Sequence, residues 1–168
     1  ALFVQEDVSR TRLQEMGRKF KSETDTEIMA HLVATEMLGG KDFVTAVRSA
    51  LSQVRGAYAF VILCQKEPDK IITAKNASPI VLGIGDDESF VASDIPALLA
   101  HTRKVVFLED GQMAVLTRKE VTITTLKGEP VQFTPRHIDW SPVMAEKGGH
   151  KHFMHKEIFE QPTAIADT

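Results

Sequence analysis

Cysteine is almost missing from this sequence. Cys64 stands alone, which excludes an internal disulfide and points to a reducing, cytoplasmic setting. Long apolar runs are missing as well, so no segment reads as a membrane span, and the N-terminus lacks the charged-then-apolar order of a signal peptide. Neither sign of charge dominates: the formal net charge is −3 and the basic residues are scattered. Nucleic acid and anionic membrane surfaces are therefore not expected as partners. No internal repeat or low-complexity tract is present. What remains is a chain of 168 residues, 43% hydrophobic, enough for one cored domain or one domain with a tail.

The first half reads as helical. "RTRLQEM" before Gly17 suggests a short helix with a glycine stop. A second helix is expected from about Thr24 to Met37, with Ile28, Met29, Leu32, Val33 and Met37 on one face, closed by Gly39 and Gly40. A third is expected from about Asp42 to Val54, where Phe43, Val44, Val47, Leu51 and Val54 fall at helical spacing, with Gly56 as its stop. After Gly56 the texture changes. "AYAFVILC" (57–64) is a continuous apolar run of the kind expected for a strand buried on both faces. "KIITAK", "PIVLGIG" and "SFVAS" follow, the last two forming an expected hairpin across "DDE". "DIPALLAH" predicts a short helix capped by Asp94, with Pro96 early, where its missing N–H costs little. Four more strand-like runs follow: "KVVFL", "QMAVLT", "EVTITTL" and "PVQFTPRHI". From about Asp139 the chain turns polar and irregular, then ends in a helical-looking "HKHFMHKEIFEQP". Helices followed by about eight mostly antiparallel strands make an α+β pattern.

Few residues carry an evident chemical signal. In "SETDTEIMAHL" (22–32), Thr24 and Glu27 stand at capping-box spacing: the Thr hydroxyl would take the N–H three residues on, and Glu27 would reach back. Asp25 falls in the first helical turn, where the helix dipole favours a carboxylate. The cap does not require it. A carboxylate there could instead receive the ammonium group of an amino-acid ligand, although the local residues favour the structural role. His150, His152 and His155 suggest metal ligands by type, and a zinc-binding reading would rest on them. A closed zinc site takes four ligands, however, and no cysteine or acidic cluster stands beside them, so no metal is expected. His31 and His101 read as helical, partly buried side chains. Cys64, closing an apolar strand without a basic neighbour, reads as core rather than nucleophile. "GIGDDE" (83–88) lacks the third glycine and the lysine of phosphate loops and is expected to be a turn.

Five segments carry a resemblance: "SETDTEIMAHL", "VRGAYAFVIL", "SPIVLGIGDDESFVASDIPALL", "VVFLEDGQMAVLT" and "GGHKHFMHKEIFEQPTAI". In order and spacing they resemble the glutamine–fructose-6-phosphate aminotransferases (glucosamine-6-phosphate synthases), in the later part of their N-terminal glutaminase domain. The last segment is the most specific, because it resembles the junction between the glutaminase and isomerase domains. Other glutamine amidotransferases are similar around "TDTE" but not there. The resemblance implies the αββα sandwich of the N-terminal-nucleophile hydrolases, incomplete, with the first part of the domain missing. Residues 1–138 would then be the C-terminal portion of a type-2 glutamine amidotransferase domain, and 139–168 a linker toward an absent sugar isomerase domain.

In such enzymes an N-terminal cysteine attacks the glutamine amide, its own α-amino group serves as base, and an Asn with a backbone N–H stabilises the oxyanion. The ammonia then converts fructose 6-phosphate to glucosamine 6-phosphate. Asp25 matches the family aspartate that binds the α-ammonium of glutamine. No cofactor is implied, and the complete protein would be a homo-oligomer. The chain departs from the pattern at its start. It opens on Ala1 rather than cysteine, "ALFVQEDVS" matches poorly, and the arginine–tryptophan loop and "H-N-G" oxyanion segment are absent. No catalytic residue is therefore expected in these residues, which should be inactive alone. A non-catalytic scaffold or binding module built on the same fold is the alternative. Missing first strands would leave unpaired sheet edges and an exposed apolar face, and hence self-association.

Overall fold

A computed structural model describes residues 2–4, 10–139, 150 and 152–166. The chain runs through β1 (Leu2–Val4), α1 (Arg10–Glu15), α2 (Thr26–Leu38), α3 (Phe43–Ser52), β2 (Val54–Gly56), β3 (Tyr58–Cys64) and β4 (Glu67–Asn76). It continues through β5 (Val81–Ile84), β6 (Ser89–Ala92), a 3₁₀ turn at Ile95–Ala97, β7 (Lys104–Phe107), β8 (Gln112–Leu116), β9 (Val121–Thr125), β10 (Arg136–His137) and α4 (Phe153–Ala166). Two four-stranded sheets, ordered β3-β4-β8-β9 and β10-β7-β5-β6, make the body, and β1 pairs with β2 apart from them. Every pairing between these strands is antiparallel.

Strand alternation builds the layers. In the first sheet Phe60, Ile72, Ala74 and Met113 face α2 and α3, where they join Ile28, Leu32, Phe43, Val47 and Leu51 in one core. The opposite face sends Ala114, Leu116 and Ile123 against Leu82 and Val106 of the second sheet. The far side of that second sheet, through Val81 and Val105, packs under Ile95, Leu98 and Leu99. The order is thus helices, sheet, sheet, and a thin outer layer supplied by the 3₁₀ turn. This is the expected α+β sandwich of αββα type. Among the described residues no helix is long and apolar enough to cross a membrane.

Local signals explain most boundaries. Gly17, at φ 82°, ends the first helical segment, with the N–H groups of Gly17 and Arg18 returning to Gln14 and Leu13. Asp42 caps α3 by accepting from the Thr45 N–H at 3.0 Å. Asp94 caps the 3₁₀ turn, with Pro96 near its start. "GIGDDE" is the expected hairpin turn, held by the Gly85 N–H donating to Glu88 O at 2.9 Å.

Several expectations need correction. α3 ends at Ser52, and the residues before Gly56 form β2 rather than a last helical turn. "AYAFVILC" is not buried on both faces: Tyr58 and Phe60 are buried, but Val61 and Leu63 are 54% and 70% exposed. β3 stands at the end of its sheet, where the second sheet does not cover it. "PVQFTPRHI" contributes only the two-residue β10 and a bridge from Pro130 to Thr124. Polar and proline positions interrupt its alternation, and proline cannot donate to a ladder. His101 is exposed in the turn after the 3₁₀ segment and stacks on Phe90 at 4.9 Å. Of the expected linker, residues 140–149, 151, 167 and 168 lie outside the described residues; the expected helix at its end is α4.

Candidate functional site

Asp25 is the N-cap residue of α2, with φ −66° and ψ −27°, and its side chain makes no capping hydrogen bond. It borders a small cleft of about 130 Å³ lined by Thr26, Ala57, Tyr58, Ala59 and Phe60. The helix start therefore faces the first residues of β3. Two features shape the β3 side. Gly56 adopts φ 100°, a conformation open to glycine, and its carbonyl accepts from Asn76 Nδ2 at 2.7 Å. Tyr58 is buried and stacks on Phe60 at 5.1 Å. Burial, and then the charge of Asp110, push its phenol above the usual range.

The capping box does not form. Glu27 reaches back past Thr24: its carboxylate accepts the N–H of Lys21 and of Ser22, both at 2.7 Å, and the Ser22 hydroxyl. Thr24 shares a hydroxyl contact with Ser22 at 2.8 Å instead of capping the helix. The reason is the fold-back after Gly17, which brings the Lys21–Ser22 amides within Glu27's reach. Two adjacent N–H groups outcompete the one that Thr24 could offer. The Ser22 hydroxyl, followed by the Lys21 N–H, lowers the Glu27 carboxyl to about 2. His31 Nε2 lies 3.5 Å from Glu27 Oε1, one helical turn on.

From the other side, Arg10 Nη2 donates to the carbonyls of Ser22 (2.8 Å) and Thr24 (3.2 Å). Its guanidinium stands 4.3 Å from the Phe20 ring centroid, and Phe20 in turn packs on His31 at 4.3 Å. Sequence reasoning missed Arg10 and Phe20, because no spacing rule relates them to "TDTE".

The other candidates lie elsewhere. Cys64 ends β3, part-buried against the helical core. His150 and His155 share a ring-nitrogen contact of 3.0 Å, with His155 against Phe159. His152 takes no part in it, and among the described residues no three potential ligands gather for a metal.

A carboxylate at a helix mouth, over a small half-apolar cleft, suits one cationic group on a small ligand. Comparison with known proteins gives this geometry its context. Residues 4–100 match the family described as the glutamine amidotransferase domain. The chain belongs to the glutamine amidotransferase family. The amidotransferase match takes in α1 to α3, β2 to β6 and the whole Asp25 cleft. Glutamine–fructose-6-phosphate aminotransferases from Symbiobacterium thermophilum and Thermococcus kodakarensis are 52% and 46% identical, over 95% and 94% of this chain. The chain spans about a quarter of their length, 26% of each. Among solved structures, the B. subtilis glutamine phosphoribosylpyrophosphate amidotransferase, complexed with ADP and GMP, matches with a TM-score of 0.59 and 25% identity. That match covers 70% of this chain and 26% of the other. The amidotransferase fold inferred from the sequence is thus the fold observed.

Proposed function

We propose that this chain is the glutamine-binding portion of a glutamine–fructose-6-phosphate aminotransferase, with Asp25 receiving the α-ammonium of glutamine. The observation that carries the reading is the 52% identity across 95% of the chain to an enzyme of that name. The Asp25 cleft supports it, since it offers one carboxylate to one cation at a helix mouth.

The reaction follows from the chemistry. A thiolate adds to the side-chain amide carbon of glutamine, ammonia leaves, and water releases glutamate from the thioester. Cys64 does not fit the nucleophile's role: it stands inside the chain, so it has no free α-amino group to act as base. On this reading Cys64 is not the nucleophile, and the 168-residue polypeptide alone is expected to release no ammonia from glutamine. Residues 1–138 belong to the amidotransferase portion. Residues 139–168, including α4, connect to a sugar isomerase portion that takes fructose 6-phosphate, in a cytoplasmic homo-oligomer. The test is an assay of the complete protein with glutamine and fructose 6-phosphate. Glucosamine 6-phosphate and glutamate should form in equal amounts. Glutamine hydrolysis without amino-sugar formation would overturn the assignment.

A further inference from the structure

We infer that Arg10 and Glu27 are positioning residues for Asp25, gripping the loop that carries it from opposite sides. The inference rests on the reading of Asp25 as the site for the glutamine ammonium. Residues 21–25 are exposed and belong to no helix or strand, and Asp25 stands where they join α2. Such a segment ordinarily wanders, and a wandering carboxylate makes a poor receptor for a fixed cation.

Here the backbone polar groups of the loop are bound by side chains from two helices. Arg10, in α1, holds the carbonyls of Ser22 and Thr24; Glu27, in α2, holds the N–H groups of Lys21 and Ser22. All four bonds involve an ionised side chain, the stronger class of hydrogen bond. The two gripping side chains are themselves joined. Arg10 lies over Phe20, Phe20 packs on His31, and His31 stands beside Glu27. The result is a closed ring of contacts around the loop, with Asp25 one residue beyond the Arg10 contact at Thr24. A local helix cap needs none of this. Glu27 passes over the cap position to bind residues five and six places back, and Arg10 reaches twelve and fourteen places forward. All four bonds serve the placement of the loop rather than the start of α2.

A device that places Asp25 acts on ammonium recognition and on nothing else in the substrate. The complete aminotransferase is therefore compared with its Glu27→Gln, Arg10→Gln, Asp25→Asn and Asp25→Asn/Glu27→Gln variants. Two constants are measured: the KM for glutamine, and the Ki of 4-carbamoylbutanoate, which keeps the amide and carboxylate of glutamine but lacks its ammonium. Glu27→Gln and Arg10→Gln should each raise the glutamine KM about tenfold with kcat nearly kept, since a small misplacement of a binding group has effects of this order. The Ki of the deamino compound should not move. The double variant should be no worse than Asp25→Asn alone. Arg10→Gln carries the test if Glu27→Gln does not fold. An equal loss for glutamine and the deamino compound, or additive losses in the double variant, would overturn the positioning role. If Asp25→Asn raises the glutamine KM while the other two variants do not, the positioning role alone fails. An unchanged KM in Asp25→Asn overturns the reading of Asp25 and the positioning role with it.

Discussion

Glu27 shows how one side chain can leave the place its spacing assigns. Its position three residues after Thr24 promised a reciprocal cap, yet its oxygens went to two amides and a hydroxyl further back. The consequence is measurable through pH. The folded carboxyl titrates at about 2 against an ordinary 4.5, so the group stabilises the fold while ionised. That contribution is fully present above the ordinary value and is lost as the pH falls through the folded one. The gap in melting temperature between the wild type and Glu27→Gln should thus be constant above about pH 5 and close as the pH approaches about 2. A gap independent of pH would contradict the contacts assigned to Glu27. The existence of an acid worth noticing was legible in "SETDTE". Its partners were not, because they depend on a chain reversal at Gly17 that brings the Lys21 and Ser22 amides back to Glu27.

Elements follow their apolar spacing closely, and depart from it where a neighbour decides. α2 and α3 bury the residues that helical periodicity picked out, among them Ile28, Leu32, Val47 and Leu51. Their caps differ in a way periodicity could not reveal. Asp42 bonds the Thr45 N–H, whereas the Asp25 side chain makes no capping hydrogen bond at α2. Asp42→Ala should therefore cost about 1 kcal/mol, the usual cost of losing a capping carboxylate. Thr24→Ala, at the position expected to cap α2, should stay within about 0.5 kcal/mol, as for an ordinary surface change. Urea melts of the two variants check both. Equal losses would restore the capping box and remove the basis for Glu27's other role. The apolar run at 57–64 teaches the converse. A continuous apolar run cannot say whether both faces are covered, since coverage depends on the width of the opposing sheet. Here that sheet stops short of β3, and Val61 and Leu63 are left exposed.

Over the whole molecule, the layers were legible as α+β from the order of helices and strands. The sandwich itself came from resemblance, because no periodicity tells which sheet face meets which. The exposed part of β3 has a consequence at this scale. It continues the face that elsewhere forms the core between the sheets, and among the described residues no strand pairs along its outer edge. An uncovered apolar strand edge is a template for association. The 168-residue polypeptide should thus self-associate with rising concentration, and Val61→Lys with Leu63→Lys should suppress this without lowering the melting temperature. Sedimentation velocity across a concentration series would show it. A monomer at every concentration would mean that β3 is covered.

The proposed function turns on the carboxylate at the mouth of α2. The most direct test of the account is the glutamine KM of the complete protein carrying Asp25→Asn, measured beside its melting temperature. A hydrogen bond to a charged group is worth about 1.5–3 kcal/mol, so the KM should rise roughly tenfold to a hundredfold while the melting temperature holds. An unchanged KM in a folded variant would contradict the account, because glutamine would then bind without the one group assigned to hold it.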